Sequence, residues 1–272
     1  MAWFMGIDIG SGTSKGVIAQ EEELSAYHIL PSGSNYKATS EKLIHELLAK
    51  AKLTLEDITH TVATGCGASN ITFSFSNQWV VDMRCCTRGV KKIYPSARTI
   101  ISVGNQSSQA IRVSTEGEVA NFVVSERCAT GSGRFLDIMA NVLRIDLKDI
   151  GPLSLRSKNP VSFTTACAVF GESEALSRIA EGTPKEDILA GVHRALADKI
   201  SVLVDRITLE KDCIIIGGGG LNVGLVHSLE EKLEMPIVVP PHPQIITAWG
   251  AAIIASQSFY HRSQEPNNHQ SS

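Results

Sequence analysis

The chain has 272 residues, of which 43% are hydrophobic and 19% are charged, and its formal net charge is −3. This composition excludes a disordered or fibrous protein, and a chain of this length can bury one large core or two smaller ones. The near-neutral charge gives no field that would attract nucleic acid or an anionic membrane, so small molecules and proteins are the expected partners.

The first 65 residues predict a mixed α/β lobe. Ser40 is predicted to cap a helix whose apolar positions, from Leu43 to Ala51, follow helical spacing. Strands with polar or glycine-rich turns surround that helix, and the first three should be antiparallel neighbours. The predicted strands are Met1 to Ile9, Lys15 to Gln20, Leu24 to Leu30 and Thr61 to Thr64.

A second group of three strands repeats the opening pattern about 95 residues later, which indicates two duplicated lobes. These strands are Thr99 to Val103, Ser108 to Val113 and Val119 to Val124, and glycine and hydroxyl residues again fill the first turn. The domains predicted from this repeat are residues 1–96 with 246–258, residues 97–245, and a disordered tail at 259–272.

The remaining sequence is mostly helical and contains one strand, glycine loop, helix unit. The predicted helices are Gly131 to Leu143, Ala168 to Ala180, Lys185 to Leu209, Asn222 to Leu233 and Ile246 to Ser256. The predicted strands are Cys213 to Ile216 and Pro236 to Val239.

The first turn carries groups suited to phosphate. Asp8 stands at a strand end, where it could hold Mg²⁺ through water, because a hard cation prefers oxygen ligands. Backbone amides and hydroxyls of a tight turn can wrap phosphate oxygens, and an amine then balances charge. The candidate nucleotide-binding residues of this turn are Gly10, Ser11, Gly12, Thr13, Ser14 and Lys15. A polar hairpin turn with a buried aspartate is the alternative interpretation.

Two later turns add candidates. Gly104 lies in the corresponding turn of the second repeat. Gly218, Gly219 and Asn222 follow a buried strand and precede a helix, where glycines and unpaired amides allow close approach to a phosphorylated ligand. A crowded crossover turn is the alternative for this glycine run.

This order of loops resembles the actin, hexokinase and heat-shock-70 superfamily, which implies an α/β, actin-like, two-lobed ATPase fold with a ribonuclease H-like duplication. Two segments resemble a narrower family, the 2-hydroxyacyl-CoA dehydratase activators with the benzoyl-CoA reductase ATPase subunits. They are Cys128-Ala129-Thr130-Gly131-Ser132-Gly133-Arg134-Phe135-Leu136-Asp137 and Cys167-Ala168-Val169-Phe170-Gly171-Glu172-Ser173-Glu174. The resemblance covers nearly the whole chain to about Ser256.

The resemblance implies a dimer that shares one [4Fe–4S] cluster and uses ATP and Mg²⁺ to drive a low-potential electron onto a dehydratase or reductase. The upstream donor would be a ferredoxin or flavodoxin. The residues agree, since Cys128 and Cys167 each lie just before a predicted helix, whose amides and dipole stabilise a thiolate. A [4Fe–4S] cluster takes four thiolate ligands, so two cysteines per chain leave two ligands missing, which the second chain of a two-fold dimer supplies. Two unrelated buried thiols are the alternative.

The chain departs from the family pattern outside the cysteine segments. The second loop reads Ser102-Val103-Gly104-Asn105-Gln106-Ser107 where Asp-Ile-Gly-Gly-Gln-Asp is usual, so both carboxylates are gone. Thr64-Gly65-Cys66-Gly67-Ala68 replaces Thr-Gly-Tyr-Gly-Arg, and Cys85-Cys86 replaces Cys-His. Hydrolysis could then be slow, rely on Asp8 and Gln106 as catalytic residues, or occur in a companion subunit.

Three functions therefore remain open. The first is an ATP-dependent one-electron donor to a 2-hydroxyacyl-CoA dehydratase-type partner, as a homodimer or as an altered subunit of a heteromeric benzoyl-CoA reductase-type complex. The others are a small-molecule kinase of the same superfold and a nucleotide-binding regulator without hydrolysis. The sequence has no long apolar run and no signal peptide pattern, so a cytoplasmic protein without a membrane partner is expected. Its remaining cysteines, Cys66, Cys85, Cys86 and Cys213, should be reduced thiols.

Overall fold

The computed structural model describes residues 2–68, 78–125, 131–163 and 168–264. Two compact units divide the chain: the first unit holds the residues up to Lys92 and those from Ile245 onward, and the second unit is Ile93–Gln244. The strands are β1 Trp3–Ile9, β2 Thr13–Gln20, β3 Glu23–Pro31, β4 Ile58–Thr64, β5 Gln78–Trp79, β6 Thr99–Val103, β7 Ser108–Val113, β8 Val119–Val124, β9 Cys213–Ile216 and β10 Ile237–Val238. The helices are α1 Tyr36–Ala51, α2 Asp82–Ile93, α3 Gly133–Leu143, α4 Leu147–Ser154, α5 Ala168–Ala180, α6 Lys185–Asp205, α7 Val223–Leu233 and α8 Ile246–Gln264.

The first unit is built on a five-stranded sheet in the order β3-β2-β1-β4-β5. Strands β1, β2 and β3 are antiparallel neighbours, whereas β4 and β5 run parallel to β1. Alternate residues of β1 point to opposite faces, so Met5 and Ile7 pack with Leu43 of α1. Phe4 points the other way and packs with Ala251 of α8. The sheet is therefore covered by helices on both faces.

The second unit repeats this arrangement with the sheet order β10-β9-β6-β7-β8. Strands β6, β7 and β8 are antiparallel, and β9 and β10 run parallel to β6. Its core joins Ile101 and Val103 of β6 to Leu196 and Ile200 of α6, all fully buried. The predicted duplication is thus observed in the strand order of both sheets.

Several predicted element boundaries were wrong. Helix α1 begins at Tyr36 and not after Ser40, because the Asn35 side chain accepts a hydrogen bond from the Ala38 N–H (3.1 Å) and caps it. Ser40 is buried inside the helix. Strand β5 and helices α2 and α4 were not predicted.

The predicted disordered tail is also corrected for residues 259–264, which continue α8. Phe259 packs its ring 5.9 Å from the ring of Phe4, and the Tyr260 hydroxyl donates a hydrogen bond to Glu21 (2.6 Å). These contacts hold the last turns of α8 against β1 and the turn at Glu21, within the first unit. Residues 265–272 lie outside the described part. Within the described ranges, no helix has both the length and the apolar character needed to cross a bilayer.

A buried imidazole in the second unit makes stability depend on pH. His193 of α6 is fully buried beneath Gly224 of α7, and burial lowers its pKa to about 4. The unfolded chain, with an ordinary pKa near 6.5, takes up a proton first as pH falls, so stability is lost between about pH 6.5 and pH 4. We expect His193 to lower the free energy of unfolding by about 2 kcal/mol at pH 5 relative to pH 8.

Urea unfolding at pH 8 and pH 5 of the wild-type and His193→Leu proteins measures this effect. The variant should lose about 2 kcal/mol less than the wild type over that interval. Equal losses of unfolding free energy in both proteins would show that the pKa of His193 is the same in the folded and unfolded states.

Candidate functional site

The first predicted phosphate turn joins β1 to β2 and places a carboxylate against an amine. Asp8 and Lys15 are register partners, and the Lys15 Nζ donates to Asp8 Oδ2 at 3.0 Å, with both side chains largely buried. The Gly10 N–H donates to the Thr13 carbonyl at 3.2 Å and closes the turn. Ser11, Gly12 and Thr13 remain partly exposed. The turn therefore offers an oriented ion pair and accessible backbone to a ligand.

Ser14 does not fit its predicted role as a ligand side chain. It is fully buried, and its hydroxyl lies 2.8 Å from the Ser32 hydroxyl. Ser32 in turn donates to the Gly10 carbonyl at 2.6 Å. Ser14 thus holds the turn in place from within the fold, which single-sequence reasoning could not distinguish from ligand binding.

A loop after β4 packs on the same turn and was not predicted to belong to it. Gly65 has φ +90°, a conformation that favours glycine, and a Cβ there would overlap Asp8 Oδ1 and lie 2.6 Å from the Ile9 carbonyl. The Gly67 N–H donates to that carbonyl at 2.9 Å, and the Cys66 thiol lies 3.6 Å from it. The exposed Cys66 side chain therefore borders the Asp8 turn.

In the second unit, the turn from Gly104 to Ser107 is bonded to the start of α3. The Gly133 N–H donates to the Gly104 carbonyl (2.9 Å), and the Arg134 N–H donates to the Asn105 carbonyl (3.0 Å). The Ser132 hydroxyl also donates to the Asn105 carbonyl (2.9 Å). The predicted catalytic Gln106 is exposed. A displacement of this turn would therefore also displace the first turn of α3.

The glycine loop after β9 forms a short 3₁₀ turn that leads into α7. Gly218 is exposed, whereas Gly219 is buried against Val103. Asn222 caps α7, since its Oδ1 accepts the Leu225 N–H at 3.0 Å. Gly219 and Asn222 therefore stabilise the fold of this loop. Of the three predicted ligand-binding residues, Gly218 is the one that is exposed to a ligand.

Two exposed apolar residues beside that loop were missed by the sequence reasoning. Leu221 and Val223 flank Asn222 and are 58% and 47% exposed, respectively. Exposed apolar residues next to a glycine loop can take the flat face of a base. Single apolar residues at a helix start form no distinctive pattern, so the sequence alone does not mark Leu221 and Val223 as an exposed surface.

The predicted cluster ligands, Cys128 and Cys167, lie outside the described residues. Helix α5 begins directly after Cys167, and α3 begins five residues after Cys128. The two helices pack together near their first turns, since a Cβ on Gly171 would meet the Phe135 ring at 3.1 Å. The described helix starts that follow the two cysteine positions therefore lie close together in the second unit.

The three buried cysteines that the structure describes offer poor alternatives. Burial raises the pKa of Cys85 and of Cys213 to about 12, and it raises the pKa of Cys86 well above its usual range. Thiols with such pKa values stay protonated at neutral pH and are weak metal ligands. Among the described residues, no group of three or more histidine, cysteine, aspartate or glutamate side chains could hold a metal ion.

The repeated sheet with glycine-rich turns at its strand ends defines the class of the protein, an actin-like ATPase fold. The chain belongs to the BadF/BadG/BcrA/BcrD ATPase family, whose sequence model matches residues 5–255. This confirms the resemblance and the fold class inferred from the sequence.

Two curated relatives and one solved structure illustrate the similarity. The chain is 37% identical over 265 residues to the 2-hydroxyisocaproyl-CoA dehydratase activator of Clostridioides difficile, covering 97% of this chain and 98% of the relative. It is 35% identical over 252 residues to the (R)-2-hydroxyglutaryl-CoA dehydratase activating ATPase of Acidaminococcus fermentans, covering 92% and 96%. The solved Clostridium difficile activator with bound ADPNP superposes with a TM-score of 0.92 at 35% identity, over 99% of this chain and 100% of that chain.

Proposed function

We propose that this protein is an ATP-dependent one-electron donor that activates a 2-hydroxyacyl-CoA dehydratase-type enzyme. A dimer would share one [4Fe–4S] cluster held by Cys128 and Cys167 of each chain, and a ferredoxin or flavodoxin would reduce it. When bound, the cluster would supply the one-electron redox centre. Family membership and the names of the similar activators support this proposal.

The observation that carries the proposal is the set of hydrogen bonds between the Gly104–Ser107 turn and the start of α3. Three hydrogen bonds of 2.9–3.0 Å connect Gly104 and Asn105 to Ser132, Gly133 and Arg134. Nucleotide bound at the turn would therefore bias the position of the helix that follows Cys128. Such a physically continuous connection can carry coupling between two sites.

Each unit carries proposed nucleotide-binding residues of its own. In the first unit, Asp8 would hold Mg²⁺ while Lys15 and the turn from Gly10 to Thr13 meet phosphate oxygens. In the second unit, Gly104, Gln106 and Gly218 would contact the nucleotide, and Leu221 with Val223 would pack on the base.

The surface of α5 supports the proposed dimer. Phe170 and Leu176 are 67% and 51% exposed on the helix that begins after Cys167. Large exposed apolar residues are common where a second chain packs. A copy of the chain packed here would bring a second pair of cysteines close to the first.

The test is anaerobic reconstitution with iron and sulfide, followed by iron analysis, ATPase assay and ATP-dependent reduction of a purified dehydratase. About two irons per chain, corresponding to one four-iron cluster per dimer, together with ATP-dependent reduction of the partner, would support the proposal. Iron-free protein that phosphorylates a small molecule would indicate the kinase function. Iron-free protein that nucleotide stabilises without phosphate release would indicate the regulator.

Nucleotide at the Asp8 turn should protect Cys66 from alkylation. This thiol is exposed and borders the turn, whereas Cys85, Cys86 and Cys213 are buried. Saturating Mg·ADP should slow its reaction with iodoacetamide about tenfold, because thiol modification depends on access. Peptide mass spectrometry measures the rate, and the Cys213 peptide serves as the slow control. An unchanged Cys66 rate in nucleotide-saturated protein would exclude phosphate binding at this turn.

A further inference from the structure

The parallel strands of the first unit bring a second aspartate to the edge where Asp8 lies. Strands β1, β4 and β5 are parallel, so their carboxyl ends meet at one edge of the sheet. Asp8 is paired in register with Thr64, the last residue of β4. Three residues beyond the end of β5, the chain reaches Asp82, which begins α2.

Helix α2 fixes the position of Asp82 relative to that edge. One turn along α2, Cys85 is fully buried and packs in a cluster with Phe4 of β1 and Val62 of β4. Burial, reinforced by the charges of Asp8 and then Asp82, raises the pKa of the Cys85 thiol to about 12. Both carboxylates are therefore within Coulombic range of one buried thiol.

The Asp82 side chain is oriented at the helix start and partly accessible. Its Oδ1 accepts the Met83 N–H at 2.9 Å, and the residue is half-buried. In the second unit, the Gly104 turn carries Ser102 and Ser107, and hydroxyls cannot supply the charge of a carboxylate. Hydrolysis of a phosphoanhydride still needs a group that orients the attacking water and accepts its proton.

We propose that Asp82 is a catalytic residue of the ATPase, in which its carboxylate orients and deprotonates the attacking water. This inference rests on the proposed function, since it presumes that ATP is hydrolysed here. The water oxygen forms a bond to the γ-phosphorus while the bond from that phosphorus to the β–γ bridging oxygen breaks. One water proton passes through Asp82 to solvent, the other stays on the released phosphate, and ADP leaves.

The experiment compares the wild type with Asp82→Asn, Asp82→Glu and a matched control, Asp149→Asn, which changes an exposed carboxylate in the first turn of α4. Asparagine keeps an oxygen that can accept the Met83 N–H, so the helix start should survive, and thermal unfolding checks this. Each protein is assayed for kcat and KM of ATP hydrolysis and for Mg·ADP affinity by calorimetry.

Asp82→Asn should lower kcat about 100-fold and leave Mg·ADP affinity within about threefold of wild type. Asp82→Glu should recover most of kcat, and Asp149→Asn should match the wild type. A wild-type kcat in Asp82→Asn would overturn the role of Asp82 and leave the proposed function standing. A wild-type protein that binds ATP without releasing phosphate would overturn both.

Discussion

Replacing either Cys128 or Cys167 by serine is expected to remove all iron from the reconstituted protein. Serine hydroxyl is a poor ligand for iron–sulfur clusters compared with thiolate, and each substitution in a two-fold dimer removes two of the four proposed ligands at once. A single substitution should therefore lower iron from about two per chain to background. Iron and acid-labile sulfide analysis after anaerobic reconstitution measures this.

The other cysteines provide matched controls for this experiment. Cys85→Ser and Cys213→Ser change buried thiols whose pKa is raised to about 12, and Cys66→Ser changes an exposed thiol. All three proteins should keep wild-type iron, although the two buried substitutions should lower the melting temperature because a hydroxyl loses hydration on burial. Full iron retention in Cys128→Ser or in Cys167→Ser would contradict the shared cluster.

These variants also separate the electron-transfer role from nucleotide binding. Mg·ADP should still protect Cys66 from alkylation in Cys167→Ser, since the Asp8 turn belongs to the first unit and α5 to the second. Loss of iron together with loss of this protection would instead indicate that the substitution unfolds the protein. Comparing the two readouts on one sample makes the iron result interpretable.

Elements bounded by clear turn residues were predictable from the sequence. The strands β6, β7 and β8 were predicted with the bounds that the structure shows, because runs rich in apolar and β-branched residues are bounded by glycine and polar turns. Strand β5 escaped prediction because two residues make no pattern. Helix α2 escaped because its buried face consists of Cys85, Cys86, Thr87 and Gly89 beside Val90, which does not read as an apolar stripe.

The candidate site was predictable as a set of loops but not as a set of contacts. The sequence places Asp8 and the glycine turns at strand ends, since strand ends and glycines leave a local signature, whereas Lys15, predicted to begin the second strand, is the third residue of β2. Whether a polar side chain serves the ligand or the fold depends on partners distant in sequence. The Ser14 hydroxyl is hydrogen-bonded to the Ser32 hydroxyl, and Gly65 packs against Asp8. The spacing of these residues in the sequence predicts neither contact.

Replacing Asp8 by asparagine should lower kcat for ATP hydrolysis about 1,000-fold, because the proposed Mg²⁺ ligand loses its charge and the metal no longer neutralises the phosphates. The structure predicts a second consequence. Lys15 Nζ lies 3.0 Å from Asp8 Oδ2 in a largely buried pair, so the variant leaves the ammonium without its counter-charge. Unfolding free energy should fall by about 1–3 kcal/mol.

A double variant separates these two effects. Asp8→Asn combined with Lys15→Met removes both charges, so much of the lost unfolding free energy should return while hydrolysis stays at the level of the single variant. Calorimetry with and without Mg²⁺ adds a direct readout, since Mg²⁺ should strengthen ADP binding in the wild type and have no effect in Asp8→Asn. Mg²⁺-dependent binding that survives in Asp8→Asn would assign the metal to another residue. Asp8 would then be retained for its ion pair with Lys15, and the first turn would serve the fold and not the phosphates.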